Sequence, residues 1–266
     1  MILRRALKPV KIRLDKLLVE RGLMPSRERA QALILAGKVL VNEQKVEKAG
    51  ASIDADSTLR LLGADLRYVS RGGLKLEKAL EHWQINIEGK VCLDIGASTG
   101  GFTDCMLQHG AARVIAVDTG YGQMDFGLRN DPRIRLLEKT NARYLKPENI
   151  GENVDFVAMD VSFISATQVL PAVIRAAASD SELALKDKPL RQIVVLVKPQ
   201  FEAGRQMVGK GGIVRDESAQ LAAVNKVKAA LAELKCAAAE WIESPILGGE
   251  GNREFLLHAE VNSGQR

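Results

Sequence analysis

Val91-Cys92-Leu93-Asp94-Ile95-Gly96-Ala97-Ser98-Thr99-Gly100-Gly101-Phe102 is the stretch whose reading decides the fold. Its first five residues have the length and apolar character of a buried strand, Gly96 opens a turn, and Gly100-Gly101-Phe102 starts a helix. Glycine in such a turn lets the backbone bend tightly and come close to a ligand. A dinucleotide-binding loop of the G-x-G-x-x-G kind would need its second glycine at position 98, where this chain has Ser98. Further strands are expected at Val114–Asp118, Ile134–Glu138, Val154–Asp160, Gln192–Lys198, Ala237–Ile242 and Glu254–Glu260. Helices are expected at 100–109, 165–178 and 216–234. That alternation predicts an α/β domain with a mostly parallel seven-stranded sheet, covered on both faces and binding ligand at the carboxyl ends of its strands.

Upstream of this domain the character of the chain changes. Residues 1–80 carry 17 Lys/Arg and 9 Asp/Glu, a net of +8, whereas the remainder has 21 and 24, a net of −3. A positive first third suits a phosphate backbone, whose counterions are released on contact. Leu14, Leu17 and Leu18 have helical spacing, with Gly22 as a stop. After Pro25, Ser26 is a candidate N-cap for a second helix that carries Ala30, Leu33 and Ile34 inward and ends at Gly37. Val39–Val41 reads as a strand, Asn42–Lys45 as a turn, Val46 as a return, and Thr58–Leu62 as a further strand. Arg13, Lys16, Arg27, Arg29 and Lys38 fall between the apolar positions and are expected to project outward. These residues resemble the helix-pair RNA-binding domain of a small-subunit ribosomal protein, which implies an RNA partner read more by shape than by sequence.

The rest of the composition mostly excludes. The apolar runs, such as Ile193–Val197, are strand-sized and too short to span a bilayer. Three scattered cysteines, Cys92, Cys105 and Cys236, indicate neither a disulfide framework nor a metal site, and His82, His109 and His258 stand apart, so no metal is expected. A basic start without an apolar core is not a secretory leader, and the expected location is cytoplasmic. Residues 63–73, with three glycines and several charges, read as a linker, and from Leu74 a helix places Leu76, Ala79, Leu80 and Trp83 on one face. On composition alone Lys75 is a surface residue of that helix.

The glycine loop, read as Asp-x-Gly-x-x-x-Gly-Gly-Phe, is similar to the first motif of S-adenosylmethionine methyltransferases. The similarity assigns Asp94, Gly96, Ser98, Gly100, Gly101 and Phe102 to the cofactor. Asp118, ending the second strand, is placed where a carboxylate meets ribose hydroxyls, and Asn141-Ala142 after the third strand is a candidate for the adenine side. Neither signature of base methylation is present: no suitable cysteine nucleophile is evident, Cys105 reading as a core residue, and the segment after the fourth strand is Asp160-Val161-Ser162-Phe163-Ile164. Instead, charged residues fall on strand ends: Asp160, Lys198, and Glu250 or Glu254. A ribose hydroxyl is a poor nucleophile while protonated, and a lysine can draw its proton if burial or another cation lowers the lysine's own affinity for one.

Taken in order, Ser70-Arg71-Gly72-Gly73-Leu74-Lys75-Leu76, the loop at 94–102, Val161–Ser165, Val197-Lys198-Pro199-Gln200-Phe201-Glu202, Gly209-Lys210-Gly211-Gly212-Ile213-Val214-Arg215 and Gly251-Asn252-Arg253-Glu254-Phe255 resemble one family. It is the hemolysin-A-like (TlyA-type) ribosomal RNA 2′-O-methyltransferases, related in their catalytic half to the FtsJ type. The resemblance implies a Rossmann-like class I methyltransferase domain preceded by a small α+β RNA-binding domain. The expected division is a flexible 1–11, an RNA-binding 12–62, a linker 63–73 and a methyltransferase domain 74–266. It implies S-adenosylmethionine as cofactor, ribosomal RNA or ribosomal subunits as partner, cytidine 2′-hydroxyls as acceptors, and Lys75, Asp160, Lys198 and Glu254 as a catalytic set. Glu250 is the alternative to Glu254. The rival readings are a membrane-active protein, which the family's name suggests but which needs a spanning or strongly amphipathic helix, and an inactive RNA-binding protein.

Overall fold

A computed structural model describes residues 11–21, 23–24, 26–61, 67–177, 192–237, 239–248 and 251–261. The N-terminal segment before Lys11, the expected stop at Gly22, Pro25, Leu62, residues 63–66 of the expected linker, and Glu250 lie outside the described residues. The chain forms two compact units, Met1–Asp65 and Leu66–Arg266.

The first unit runs β1 (Lys11–Arg13), α1 (Leu14–Glu20), α2 (Arg27–Leu35), β2 (Val39–Val41), β3 (Gln44–Lys45), β4 (Ser52–Asp54) and β5 (Leu59–Leu61). Ser26 caps α2 by accepting the Arg29 amide hydrogen at 3.4 Å, the role its hydroxyl suggests. Leu14, Leu18, Ala30, Ile34, Val39 and Val41 form the core. Two details differ from expectation. Gln44-Lys45, read as turn, already belongs to β3 and pairs with β2, because Asn42 and Glu43 alone make the reversal with φ of 49° and 64°. Two residues of left-handed backbone match the twist of the strands they join. The β1–β4 ladder, Lys11 to Asp54 through Arg13 to Ser52, was not foreseen; each strand is only three residues long.

The second unit runs α3 (Gly72–His82), β6 (Val91–Ile95), α4 (Gly101–Gln108), β7 (Arg113–Val117), α5 (Phe126–Arg129), β8 (Ile134–Leu137), α6 (Pro147–Ile150), β9 (Phe156–Met159), α7 (Ala166–Ala177), β10 (Gln192–Val197), α8 (Pro199–Glu202), α9 (Glu217–Glu233), β11 (Glu240–Glu243) and β12 (Phe255–Glu260). Sheet order is β11-β12-β10-β9-β6-β7-β8, parallel from β10 to β8, with β12 antiparallel to both β10 and β11. Alternation along each strand feeds two cores. Leu93, Ile95, Val157, Met159, Val195 and Val197 face α7 and α9, while Cys92, Phe156, Ala158, Val194 and Leu196 face α3 and α4. Each fully buried aliphatic side chain contributes roughly 1.5–3 kcal/mol.

The sixth strand begins later than expected. Ala237 donates its amide to Glu260 O at 2.7 Å, and Cys236 bridges Val261, before the regular ladder starts at Glu240. Residues 67–73, read as linker, pack within the second unit. Tyr68 is buried and its hydroxyl donates to Glu77 at 3.0 Å, and Val69 donates its amide to Asp104 at 2.7 Å. Gly73 is required there, since a Cβ would lie 2.2 Å from the Tyr68 ring.

Candidate active site

Strands on either side of the β6/β9 boundary are connected in opposite directions across the sheet, and the crevice at such a reversal is where ligands bind. A cavity of about 240 Å³ opens there, lined by the 96–99 turn, Gly101 and Phe102, by Ser70 to Gly72, and by Lys75, Asp160 and Ile246. The first turn of α4 contributes Gly101 and Phe102 to its lining, and the amino end of a helix carries positive character. The glycines of the loop serve close approach as much as conformation. A Cβ on Gly96 would lie 2.3 Å from the Asp160 carbonyl oxygen, and one on Gly101 would lie 2.2 Å from Ser70 Oγ. The turn therefore presses directly on the end of β9, and α4 on the start of α3.

The four residues of the expected catalytic set fall into two ion pairs. Lys198 Nζ sits 2.6 Å from Asp160 Oδ1, a close charge contact, and donates to Ser162 Oγ at 2.7 Å. Lys75 Nζ donates to Glu254 Oε2 at 2.5 Å. Composition had made Lys75 a surface residue. Instead it is buried, and so is Glu254. The sheet explains the convergence. Met159 pairs with Ile95 and Val195, so Asp160 leaves β9 beside the glycine turn. Val197 pairs with Phe255, so one further step of the same register sets Lys198 against Glu254. Because β12 runs in reverse, its amino end meets the carboxyl ends of its neighbours.

The expected cofactor residues divide. Gly96, Ser98, Gly101 and Phe102 line the cavity. Asp118 is attached to the turn, accepting the Ser98 amide at 2.8 Å and the Gly120 amide at 2.6 Å. Gly100, with φ of 94°, leaves room for Leu128 and does not line the cavity. Asp94 lies beneath the turn, fully buried, taking a 2.5 Å hydrogen bond from Thr103 on one oxygen and leaving Oδ1 without a partner. Burial pushes its pKa up to about 7 against the opposing Thr103 hydrogen bond, with Asp160 and Asp118 adding to the rise. Asn141 accepts the Arg143 amide at 3.0 Å, while the Ala142 side chain is spent on the hydrophobic core; neither is a cavity wall.

Sequence reasoning missed Glu202. Its buried carboxylate accepts the Ala166 amide at 2.6 Å and the Ser165 hydroxyl at 2.5 Å, and Lys226 approaches it at 3.1 Å. It caps α7 from the segment that follows Lys198, so the two chain segments leaving Asp160 and Lys198 are tied at a second point. Ser70, Arg71 and Thr99 also line the cavity without having been singled out for it. The only hint was the Ser70-Arg71-Gly72-Gly73 run.

In the first unit, Asp15 is buried and gathers the cations expected to face outward. Arg13 pairs with it at 2.9 Å and Arg27 at 3.0 Å, and Gln31 donates at 2.8 Å. The Arg13 hydrogen bond is the main reason its carboxyl is held well below the usual range. Lys16 is exposed and pairs with Glu20 at 3.3 Å, Lys38 is exposed, and Arg29 is half-buried. Burial pushes the Cys105 thiol up to about 12, away from thiolate chemistry. Among the described residues no group of three or more His, Cys, Asp or Glu could hold a metal, and no helix is long and apolar enough to cross a membrane.

A doubly wound sheet with a reversed last strand and a polar cavity at its switch point, walled by a glycine turn, defines a Rossmann-like α/β domain. Residues 68–261 match the FtsJ-like methyltransferase family and residues 12–58 match the S4 domain, and the chain belongs to the TlyA- and hemolysin-A-like methyltransferases. It is 44% identical over 246 residues to the 16S/23S rRNA (cytidine-2′-O)-methyltransferase TlyA of Mycobacterium tuberculosis, covering 92% of this chain and 88% of that one. Hemolysin A of Brachyspira hyodysenteriae is 41% identical over 248 residues, 93% of this chain and 99% of its own. The solved structure of a candidate hemolysin from Streptococcus thermophilus superposes with a TM-score of 0.69 at 42% identity, covering 96% of this chain and 90% of that one.

Proposed function

We propose that this protein methylates the ribose 2′-hydroxyl of a cytidine in ribosomal RNA, using S-adenosylmethionine, with Lys75, Asp160, Lys198 and Glu254 as its catalytic set. The observation that carries the reading is the pairing of Lys198 with Asp160, and of Lys75 with Glu254, around a cavity walled by a glycine turn. Bound there, S-adenosylmethionine supplies an electrophilic methyl group on a sulfonium centre. The cavity suits such a ligand chemically. The α4 amino end and Arg71 offer positive character for its carboxylate, Asp118 offers acceptors for ribose hydroxyls, and the unpartnered Asp94 oxygen offers an acceptor close beneath the turn.

The chain's own residues then have distinct tasks. Lys198 Nζ, fixed by Asp160 and Ser162, positions the acceptor hydroxyl and draws its proton. Lys75, held by Glu254, places a second positive charge at the cavity wall, which favours giving up that proton. Orientation of the two reactants supplies much of the acceleration. Residues 12–62 act as the RNA-docking domain through Arg13, Lys16, Arg27, Arg29 and Lys38, and residues 74–266, together with residues 67–73 that pack against them, act as the methyltransferase domain. A ribosomal RNA substrate makes the cytoplasm the working compartment.

Mapping ribose methylation on both ribosomal RNAs, in cells with and without this protein, tests the reading. A 2′-O-methyl mark on cytidine that depends on the protein is expected. Lys198→Ala should lower the rate of methyl transfer by about 10²–10⁴-fold, the range for a proton-transfer group, with cofactor affinity unchanged by calorimetry. Full activity in that variant removes Lys198 from the chemistry.

A further inference from the structure

The Gly209–Arg215 segment is a built turn that the catalytic site does not use. The Gly209 amide donates to Ile213 O at 3.0 Å and the Gly212 amide to Gly209 O at 3.1 Å, which closes a tight loop with Lys210 and Gly211 at its tip. Gly211 and Gly212 have φ of 79° and 74°, and a Cβ on Gly211 would meet nothing within 4 Å, so the tip stands clear of the protein. Among the described residues neither the Lys210 nor the Gly211 amide donates a hydrogen bond. Successive amides left open in a glycine turn form a concavity suited to an anion.

The turn is held rigidly. Asn252, buried, accepts the Val214 amide at 3.0 Å and donates to Gly212 O at 2.9 Å, and Gln220 donates to Val214 O at 2.7 Å. Asn252 stands two residues before Glu254, so the hairpin segment that carries an acid to the cavity also fixes this turn. The charges differ from those beside them. Arg253 is held by Glu243 at 2.9 Å and by Glu217 at 3.6 Å, and Asp216 is occupied capping α9 through the Ala219 amide. Lys210 and Arg215 are exposed and no carboxylate lies within 4 Å of either among the described residues. A Cβ on Gly209 would lie 3.6 Å from the Arg215 guanidinium, so the arginine folds back against the turn.

We infer that the Gly209–Gly212 turn, with Lys210 and Arg215, is a docking site for a backbone phosphate of the RNA substrate, separate from the S4 domain. It rests on the proposed RNA-methyltransferase reading and deepens it. A phosphate seated there sets the RNA strand relative to the cavity through the 251–254 segment, while the first unit contributes affinity from elsewhere on the RNA. Turn amides and two cations suit one phosphate oxygen cluster and read no base.

The experiment uses the full chain with purified ribosomal RNA of both subunits and compares K210A/R215A with K90A/R175A. The second variant removes the same charge from the amino end of β6 and the last turn of α7, at the end of the sheet away from the cavity. For K210A/R215A, KM for RNA should rise about tenfold and the slope of log affinity against log salt should fall by about one, as expected when a single phosphate is no longer neutralised. The turnover number at saturating RNA, and cofactor affinity, should stay within about twofold. An unchanged slope, or an equal change in K90A/R175A, overturns the assignment. Loss of slope in a wild-type background that binds RNA but never methylates it would sink the catalytic reading and keep this one.

Discussion

The two units each bury an acid among cations, with opposite consequences. In the first, Asp15 is sealed while its partners Arg13 and Arg27 remain 53% and 50% exposed, so the acid anchors guanidinium groups whose faces stay in water. In the second, the ammonium groups of Lys75 and Lys198 are themselves withdrawn, 10% and 12% exposed, and meet Glu254 and Asp160 at a cavity. Exposed, well-spaced cations suit a long polyanion that is held at many points, each of them weak. Withdrawn ammonium groups, orientated by carboxylates, suit one hydroxyl whose proton has to be addressed. Placement, more than residue type, separates binding from chemistry.

The sharpest way to break this comparison is to unpair the deeper site. Lys75→Met leaves Glu254 buried without a counter-ion and should cost about 3–5 kcal/mol of stability, read from denaturant midpoints. Replacing both partners, Lys75→Met with Glu254→Leu, should return most of that stability and none of the methyl transfer. An active double variant would reduce the pair to architecture.

The first unit should respond differently. Replacing Arg13, Lys16, Arg27 and Arg29 with alanine, together with Asp15→Asn so that no buried charge is stranded, should weaken RNA binding by one to three orders of magnitude at moderate salt. The salt slope should flatten by about one for each phosphate that the variant leaves unneutralised. Catalysis at saturating RNA should persist. An unchanged slope would make the module's charges ornamental for RNA.

A third test concerns Asp94, whose folded-state pKa is raised from 3.8 to about 7 by burial. An acid with a raised folded pKa contributes stability that is fully present below about pH 4 and lost as pH climbs through about 7. Thermal unfolding across that window should show wild-type stability falling, and Asp94→Asn should flatten the curve. A wild-type curve that rises instead would mean that Asp94 is ionised throughout.

Much of this was legible before the structure. The seven strands of the catalytic sheet came from apolar runs of the right length, and most of their ends lie within a residue or two of those observed, as for Val114–Asp118 against Arg113–Val117. What stayed hidden depended on distant partners. Lys75 falls off the apolar face of α3 and reads as a surface residue because Glu254, which neutralises it, is 179 positions away. Glu202 looks like one more charge after a strand until the amino end of α7 supplies donors for it. The β1–β4 ladder is too short to leave an alternation, and Asn42-Glu43 offered no glycine to mark so tight a reversal. The positions expected to meet a cofactor divide for a similar reason. Ser98, singled out by the motif, lines the cavity, whereas Ala142 is packed in the core.

The reversed course of β12 restricts how its preceding loop can change length. Side chains on a strand alternate, so sliding β12 by a single position against β10 would rotate Glu254 away from Lys75 and bring a neighbour into its place. Insertions or deletions between β11 and β12 can be absorbed by the loop's curvature only while the Val197–Phe255 pairing is kept, since a slip of two residues preserves the buried face but carries Glu254 about 7 Å along the strand. The acid's position is thereby set by strand register, a discrete quantity, and drift at this hairpin should leave Glu254 either in place or lost outright, with no graded intermediate.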